Sequence, residues 1–415
     1  MKILQINAFN YQKGGSETVY RATSAELERL GYSVVRFAMK WPENEPDRNE
    51  DLFPDSKTTR TGKLRPIINA ITYFYNREAA RNLQKLIDRE RPDIAQIHLI
   101  WGQLTPSILK VLKRNGIPTV LTAHDYRLVC PAYTFRNGKG EICEQCEGRR
   151  YGKCVSNRCC KGSRGLSLMM ASEQRFRNAF FNPAKLLDGI IFVSDFAQRK
   201  HLQYFPELER LDNIQLYNFS PYKAEAKERT AKERYFLYAG RLSEEKGLWT
   251  AIKAFERRPE SRLIIAGTGP LEEELKAYVE TNKLRNIEFV GFKTGDNLKT
   301  LVENAYFVIV PSEWYENNPM SIVESYSLAT PVIGSRIGGI PEIVVDGSTG
   351  FLFDAFSTEA LEETVEKAEG LTDKQYLDMR REAADFAATN FDKDRYMRTL
   401  IEYFKRLTDK NRTNS

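Results

Sequence analysis

Two glutamates, Glu316 and Glu324, flank the run Asn317-Asn318-Pro319-Met320, whose residue types describe a helix start: Asn318 suits an N-cap and Pro319 the first helical turn. A helix beginning there points unbonded backbone N–H groups and the positive end of its dipole at the preceding loop, which makes an anion site. Glu324 lies about 7–8 Å along the same axis at ~1.5 Å per residue, so one ligand can touch both features. Its carboxylate can accept paired hydrogen bonds from vicinal hydroxyls, such as those of a ribose. The segment Gly240-Arg241-Leu242-Ser243-Glu244-Glu245-Lys246-Gly247 adds two cations suited to a diphosphate, Arg241 by its fork of donors and Lys246 as a point charge. Taken singly, each set has a plainer alternative: glutamates stabilised by a helix dipole, and an exposed loop with ordinary surface charge.

Of the three histidines, His124 sits in Thr122-Ala123-His124-Asp125 and His98 also follows a strand-like run, whereas His201 lies in a basic helical stretch and is expected on the surface. His124 suits hydrogen bonding better than proton transfer. All six cysteines fall within residues 130–160. Cys143-x2-Cys146 followed by Cys154-x4-Cys159 is spacing for a tetrahedral thiolate zinc site, with Cys130 as a replacement ligand. Such a full shell would be structural. Free thiols, disulfides or an iron–sulfur cluster are the alternatives, disulfides being disfavoured in a chain without a secretory leader.

These residues must be held by strands and helices, and the hydrophobic pattern supplies them. Apolar runs at Lys2–Ala8, Ser33–Met39, Ile94–His98, Pro118–Thr122 and Ile190–Val193 read as strands, with helices up to Leu30, over Arg77–Arg89 and over Gln103–Asn115. After a Lys/Glu-rich stretch from Lys223 to Arg234, read as a linker, strands recur at Tyr235–Ala239, Arg262–Ala266, Ile287–Val290, Phe307–Val310 and Pro331–Gly334. Strands alternating with helices imply parallel sheets covered on both faces, with ligands at the carboxyl ends of the strands. The fold class is therefore α/β, with two doubly wound, Rossmann-like domains. A length of 415 residues suits two domains, and 41% hydrophobic residues with 23 Phe suffice for two cores. A net charge of +6, from 62 basic and 56 acidic residues, is too mild to mark a nucleic-acid binder. No apolar run approaches the ~18 residues of a membrane span, and the first residues turn polar too soon for a signal peptide, so a cytoplasmic location is expected.

Four motifs in order, Gly240-Arg241 to Lys246-Gly247, Ala266-Gly267-Thr268-Gly269-Pro270, Glu316-x7-Glu324 and Gly338-Gly339-Ile340-Pro341-Glu342, resemble the nucleotide-sugar domain of the retaining family-4 (group 1) glycosyltransferases of the GT-B fold. Gly14-Gly15 and the His124-Asp125 motif match the donor-facing loops of the other half. Cysteine clusters after the His-Asp motif occur in a bacterial subset of that family. The resemblance spans nearly the whole chain, apart from the cysteine insertion and the segment around Phe53 to Ile71.

It implies two domains facing across a cleft. Residues 1–217 with 393–415 would form the acceptor-side domain, carrying the insertion 130–160, and residues 218–392 the donor-binding domain; the last helix, Lys393–Leu407, would cross back to the first. By the same resemblance Arg241 and Lys246, beside Gly240, hold the donor diphosphate, and Gly15 brings backbone close to it. Glu324 grips the ribose. Glu316 and the backbone of Asn317, Asn318, Pro319 and Met320 take the sugar, His124 faces it, and Gly267 and Phe292 surround the nucleobase. The implied reaction moves a hexosyl group from a nucleotide-diphosphate sugar to a hydroxyl of a glycan or polyprenyl-linked acceptor, in bacterial surface polysaccharide biosynthesis. Fixed cations and a helix end can stabilise the departing diphosphate, so no catalytic metal is expected. Retention is expected by attack from the face the phosphate leaves, rather than by double displacement through a carboxylate.

Between Arg136 and Lys185 eleven basic residues stand against four acidic ones, with Leu166, Leu168, Met169, Met170, Phe176, Phe180 and Phe181 interleaved with Arg175 and Arg177. This stretch reads equally as a helix lying on an anionic membrane and as a core-packed helix with a solvated basic face; Tyr73, Phe74 and Tyr75 beside Lys63 and Arg65 extend either reading. Two other functions are weighed. A nucleotide-sugar epimerase would share the architecture, and a zinc-knuckle nucleic-acid binder would leave Glu316 and Glu324 without a role.

Overall fold

The computed structural model describes residues 1–56, 65–222 and 234–413, so most of the linker stretch and Lys63 lie outside the described residues. The chain divides into two compact units: Met1–Leu216 with Asp394–Ser415, and Tyr217–Lys393.

The first unit is a six-stranded sheet of β1 (Lys2–Ile6), β2 (Ser33–Phe37), β3 (Ile94–Ile97), β4 (Thr119–Ala123), β5 (Gly189–Phe192) and β6 (Asp212–Gln215), in the order β2-β1-β3-β4-β5-β6. Every pairing is parallel. β3, β4 and β5 are buried along their whole length, as a sheet covered on both faces requires. The helix Gly15–Arg29 buries Val19, Tyr20, Thr23 and Leu27, one face at helical spacing. The last helix, Lys393–Thr413, belongs to this unit. Its Tyr403 hydroxyl donates to the Asp212 carbonyl, and Arg406 pairs with the Asp212 carboxylate at 2.7 Å.

The second unit repeats the plan with β7 (Tyr235–Ala239), β8 (Arg262–Ala266), β9 (Ile287–Gly291), β10 (Phe307–Val310), β11 (Val332–Ser335) and β12 (Gly350–Phe353), ordered β12-β11-β10-β7-β8-β9 and parallel throughout. Phe236, Phe255, Leu263, Ile265 and Phe307 centre its core. In both sheets the strand order reverses once, between β1 and β3 and between β7 and β10. At such a reversal the two flanking loops diverge to opposite faces and leave room for a ligand.

Two edge strands escape the sequence pattern. β6 is half-exposed Asp-Asn-Ile-Gln, without an apolar run, and β12 follows a Gly-Ser-Thr-Gly turn that hides its start. The helix expected from Gln103 begins only at Ser107, because Thr105 takes a left-handed φ of 62° and Pro106 follows. Among the described residues no helix is long and apolar enough to cross a membrane.

Candidate functional site

In the second unit the loops leaving β7 and β10 lie against one another. The Glu313 N–H donates to the Glu245 carbonyl at 2.9 Å, and Gly247, at φ 68°, approaches so closely that a Cβ there would stand 1.8 Å from the Pro311 carbonyl oxygen. Only glycine fits that contact. The closeness carries Lys246 to Glu316: Nζ is 2.6 Å from Oε1, and the Ser312 hydroxyl donates to the same oxygen at 2.7 Å. Glu316 is 5% exposed, so its charge is taken up by these two donors rather than by water. Lys246 also lies 5.0 Å from the Trp314 ring centroid.

The Gly338-Gly339 tract supports Glu316 from behind. The Gly339 N–H donates to the Glu316 carbonyl at 2.7 Å, and a Cβ on Gly338, at φ 62°, would meet that carbonyl oxygen at 2.5 Å. Arg241 and Gly240 are exposed at the carboxyl end of β7. The Gly267 N–H bonds to the Gly291 carbonyl at 2.9 Å, joining the turns after β8 and β9, and the neighbouring Phe292 is 64% exposed.

The helix carrying Glu324 begins at Met320, with Pro319 rather than Asn318 at the cap position and no side-chain cap. The expected Asn318 cap is therefore corrected. Its Oδ1 instead accepts from the Asn218 N–H at 2.8 Å, and Asn218 Nδ2 donates to its carbonyl at 3.2 Å. Asn317 and Asn318 are buried. Trp314 Nε1 and Asn318 Nδ2 are buried donors with no partner among the described residues, which suits them to a ligand rich in oxygen acceptors. Desolvation pushes Glu324 up to about 7.

In the first unit, Gly15 opens the helix after β1 and is exposed, while His124 follows β4. His124 Nε2 lies 2.8 Å from Nδ1 of His98, whose other nitrogen is 3.1 Å from Gln5 Oε1. Burial pushes His124 down to about 4 and His98 well below its ordinary value, so both rings are neutral at neutral pH. A recess here is lined by His98, Trp101, Thr122, His124, Asp125 and Leu128. Gln5 and Gln96 were not singled out from sequence; the available signal is a glutamine at the paired position of two otherwise apolar strands.

Two further expectations change. His201 is fully buried, not on the surface: it follows Ala197 by one helical turn, bonds to its carbonyl at 2.7 Å and stacks on Tyr126 at 5.5 Å. Arg177 is fully buried too; its guanidinium donates to the Arg127 carbonyl at 2.8 Å and covers the Trp101 ring at 4.5 Å. The helix Arg164–Phe180 is thus packed along one face, and it leaves Leu168 54% and Phe180 61% exposed.

In the cysteine insertion, Cys143, Cys146, Cys154 and Cys159 lie close enough to act on one another's thiols. Among the described residues no group of three or more His, Cys, Asp or Glu is arranged to hold a metal ion. The Cys159 N–H bonds to the Cys154 carbonyl at 3.1 Å, a tight turn that folds Cys159 and the adjacent Cys160 onto Cys154. Interaction with these two neighbouring sulfurs raises the Cys154 thiol and lowers Cys160 to about 7. Asn157 Nδ2 meets the Cys143 sulfur at 3.5 Å, and burial pushes the Cys146 and Cys130 thiols up to about 12.

Comparison with known proteins adds to this geometry. Residues 13–212 match the model of Glycosyltransferase Family 4, and residues 222–386 that of Glycosyl transferases group 1. The chain is 26% identical over 185 residues to the alpha-D-kanosaminyltransferase of Streptomyces kanamyceticus, covering 42% of this chain and 48% of that protein. It is 29% identical over 158 residues to a putative colanic acid biosynthesis glycosyltransferase of Escherichia coli, covering 36% and 38%. Both matches thus span less than half of the relative. The structure of Anabaena HepE in complex with UDP-glucose superposes with a TM-score of 0.64 at 17% identity, covering 98% of this chain and 100% of that one, which is a likeness of fold. With a family 4 domain before a group 1 domain, each on its own six-stranded parallel sheet, the chain is built as a group 1 glycosyltransferase of the GT-B fold.

Proposed function

We propose that this protein is a retaining hexosyltransferase that takes a sugar from a nucleotide-diphosphate donor and delivers it to a hydroxyl of a glycan or lipid-linked acceptor in bacterial surface polysaccharide biosynthesis. The observation that carries the reading is the cluster at the reversal of the second sheet, where Lys246 meets Glu316 at 2.6 Å beside the exposed Arg241. On this reading Arg241 and Lys246 neutralise the charge that grows on the diphosphate as the sugar–phosphate bond breaks, without a catalytic metal. Lys246 exchanges part of its contact with Glu316 for phosphate, and Glu316 turns to a sugar hydroxyl. Glu324 holds the ribose, the buried donors of Trp314 and Asn318 meet sugar or phosphate oxygens, and Gly267 and Phe292 flank the base. Gly15 and His124 contribute from the first unit. The acceptor attacks from the face the diphosphate leaves, a phosphate oxygen taking its proton; a glycosyl adduct trapped on Glu316 would overturn that step.

The Escherichia coli relative, named for colanic acid biosynthesis, supports the polysaccharide setting, and the UDP-glucose complex of HepE supports a sugar-nucleotide donor. The epimerase and nucleic-acid readings are not favoured, since neither is found in the two family matches. The proposal extends to work at the inner face of the membrane. Exposed Leu168 and Phe180, on a helix that also carries Arg164 and Arg175, support contact with anionic lipid. Flotation with acidic vesicles, lost at high salt, is the expected result, and no flotation ends that part. A structural zinc in the cysteine insertion is supported by its soft donors; about one zinc per chain and melting lowered by a chelator would establish it, and absence of both would remove it.

The main test is thermal shift of the whole protein with UDP, GDP, ADP and CMP. One nucleotide is expected to raise the melting temperature by mass action, and Arg241→Ala and Lys246→Ala to abolish the shift. No shift with any nucleotide would sink the assignment.

A further inference from the structure

Buried polar side chains in the first unit form one hydrogen-bonded line across three neighbouring strands. Gln96 Nε2 donates to the Thr122 hydroxyl at 2.9 Å, so the other end of that amide, Oε1, accepts from Gln5 Nε2 at 2.8 Å. Gln5 and Gln96 stand directly opposite in the β1–β3 register and are fully buried. With its nitrogen engaged, Gln5 presents Oε1 to His98 Nε2 at 3.1 Å. A carbonyl oxygen can only accept, so His98 Nε2 carries a hydrogen. Neutral His98 then has a bare Nδ1, and that atom, 2.8 Å from His124 Nε2, must accept in turn. The two ring planes lie within 15° of each other, which suits an in-plane N–H···N bond.

We infer that the Thr122–Gln96–Gln5–His98 line sets the tautomer of His124, fixing its proton on Nε2 and leaving Nδ1 an acceptor, so that His124 receives a hydrogen bond from a donor-sugar hydroxyl instead of giving one. This rests on the reading of His124 as a residue that meets the sugar. Gln5 and His98 are positioning residues: they touch the substrate only through His124. No proton is transferred, because desolvation keeps both rings neutral. The substrate feature selected is a hydroxyl able to donate; a deoxy, fluoro or O-methyl group at that position has no hydrogen to give Nδ1. Chemistry that depends on a ring held in one tautomer is lost when the orienting acceptor is replaced.

Two-bond ¹⁵N–¹H correlation spectra of the full-length protein, with no nucleotide or acceptor added, read the tautomers directly. Both His98 and His124 are expected as Nε2–H forms. Gln5→Met, of similar volume and without an acceptor, is expected to move His98 and His124 toward Nδ1–H. It should also lower kcat, for a sugar donor of the nucleotide identified by thermal shift, about tenfold or more with KM little changed, and lower the melting temperature because Gln96 Oε1 loses its donor. Gln5→Glu, which keeps an acceptor at that place, is expected to restore the Nε2–H pattern and most of kcat. A wild-type spectrum with Nδ1–H on either histidine means the line runs the opposite way and overturns the inference. Wild-type tautomers and turnover in Gln5→Met overturn it as well. Failure of every sugar nucleotide to react would count against the proposed function while leaving the spectra to judge the line itself.

Discussion

A carboxylate that must accept hydrogen bonds from two hydroxyls has to be ionised, and burial opposes this at Glu324, pushed up to about 7 by desolvation. The protonated form is uncharged and loses acceptor capacity, so nucleotide affinity should be full above pH 7 and fall as pH drops, by about tenfold for each unit once protonation dominates. Titration calorimetry between pH 5.5 and 8.5 measures this, and Glu324→Gln should bind weakly with no such slope. A flat wild-type profile would free Glu324 from the ribose. At His124 one aimed hydrogen bond is worth a few kcal/mol in the transition state, so His124→Ala should cost about thirtyfold or more in turnover with unchanged melting. Near-normal turnover would remove it from the site. Lys246 answers a nearly buried Glu316, and Lys246→Met would leave that charge with the Ser312 hydroxyl as its remaining side-chain donor among the described residues. Because Lys246 is itself a quarter exposed, the loss should be partial, about 1–3 kcal/mol in urea unfolding, and relieved by adding Glu316→Gln.

Elements act here through close backbone approach. The tract before the short helix Ile340–Ile343 lies against the Glu316 peptide, and Gly338 has both a left-handed φ of 62° and backbone atoms 2.5–2.6 Å from where a Cβ would stand. Gly347 has a similar φ of 80° with nothing within 4 Å. The pair separates strain from displacement. Gly347→Ala should cost only about 1 kcal/mol of backbone strain and leave nucleotide binding intact, whereas Gly338→Ala should cost more and also weaken binding, because Glu316 must move. Equal effects of the two on binding would show that the tract does not position Glu316. The legible part of these elements was their apolar runs: β7, β8 and β10 were bounded from sequence alone. The start of the Met320 helix was misread because Asn318 has the chemistry of a cap, yet Asn218, far away in sequence, claims its side chain.

At the scale of the whole chain, the first unit is completed by its last segment. The helix Lys393–Thr413 buries Tyr396, Met397, Leu400, Tyr403, Phe404 and Leu407, and Tyr403 lies so close to β5 that only glycine fits at position 189. Six buried side chains at about 1.5–3 kcal/mol each amount to roughly 9–18 kcal/mol, as large as a typical domain's entire stability. A chain ending at Asp392 should therefore lose the cooperative melting of the first unit and aggregate, as calorimetry and solubility would register; a soluble truncated protein with wild-type melting would count against this. The sequence by itself determined the class: two series of alternating strands and helices, with charged and glycine-rich loops at the strand ends, because alternation and turn chemistry are local. It did not determine which strands are neighbours, since short apolar runs such as Phe-Val-Ile-Val and Ile-Ala-Gln-Ile pair with many partners equally well. Only tertiary structure put β7 beside β10, and so Lys246 against Glu316 across 70 residues, and β1 beside β3, and so Gln5 against Gln96 and His98. Strand order is fixed by the packing of whole layers, and that sum is not written in any one segment.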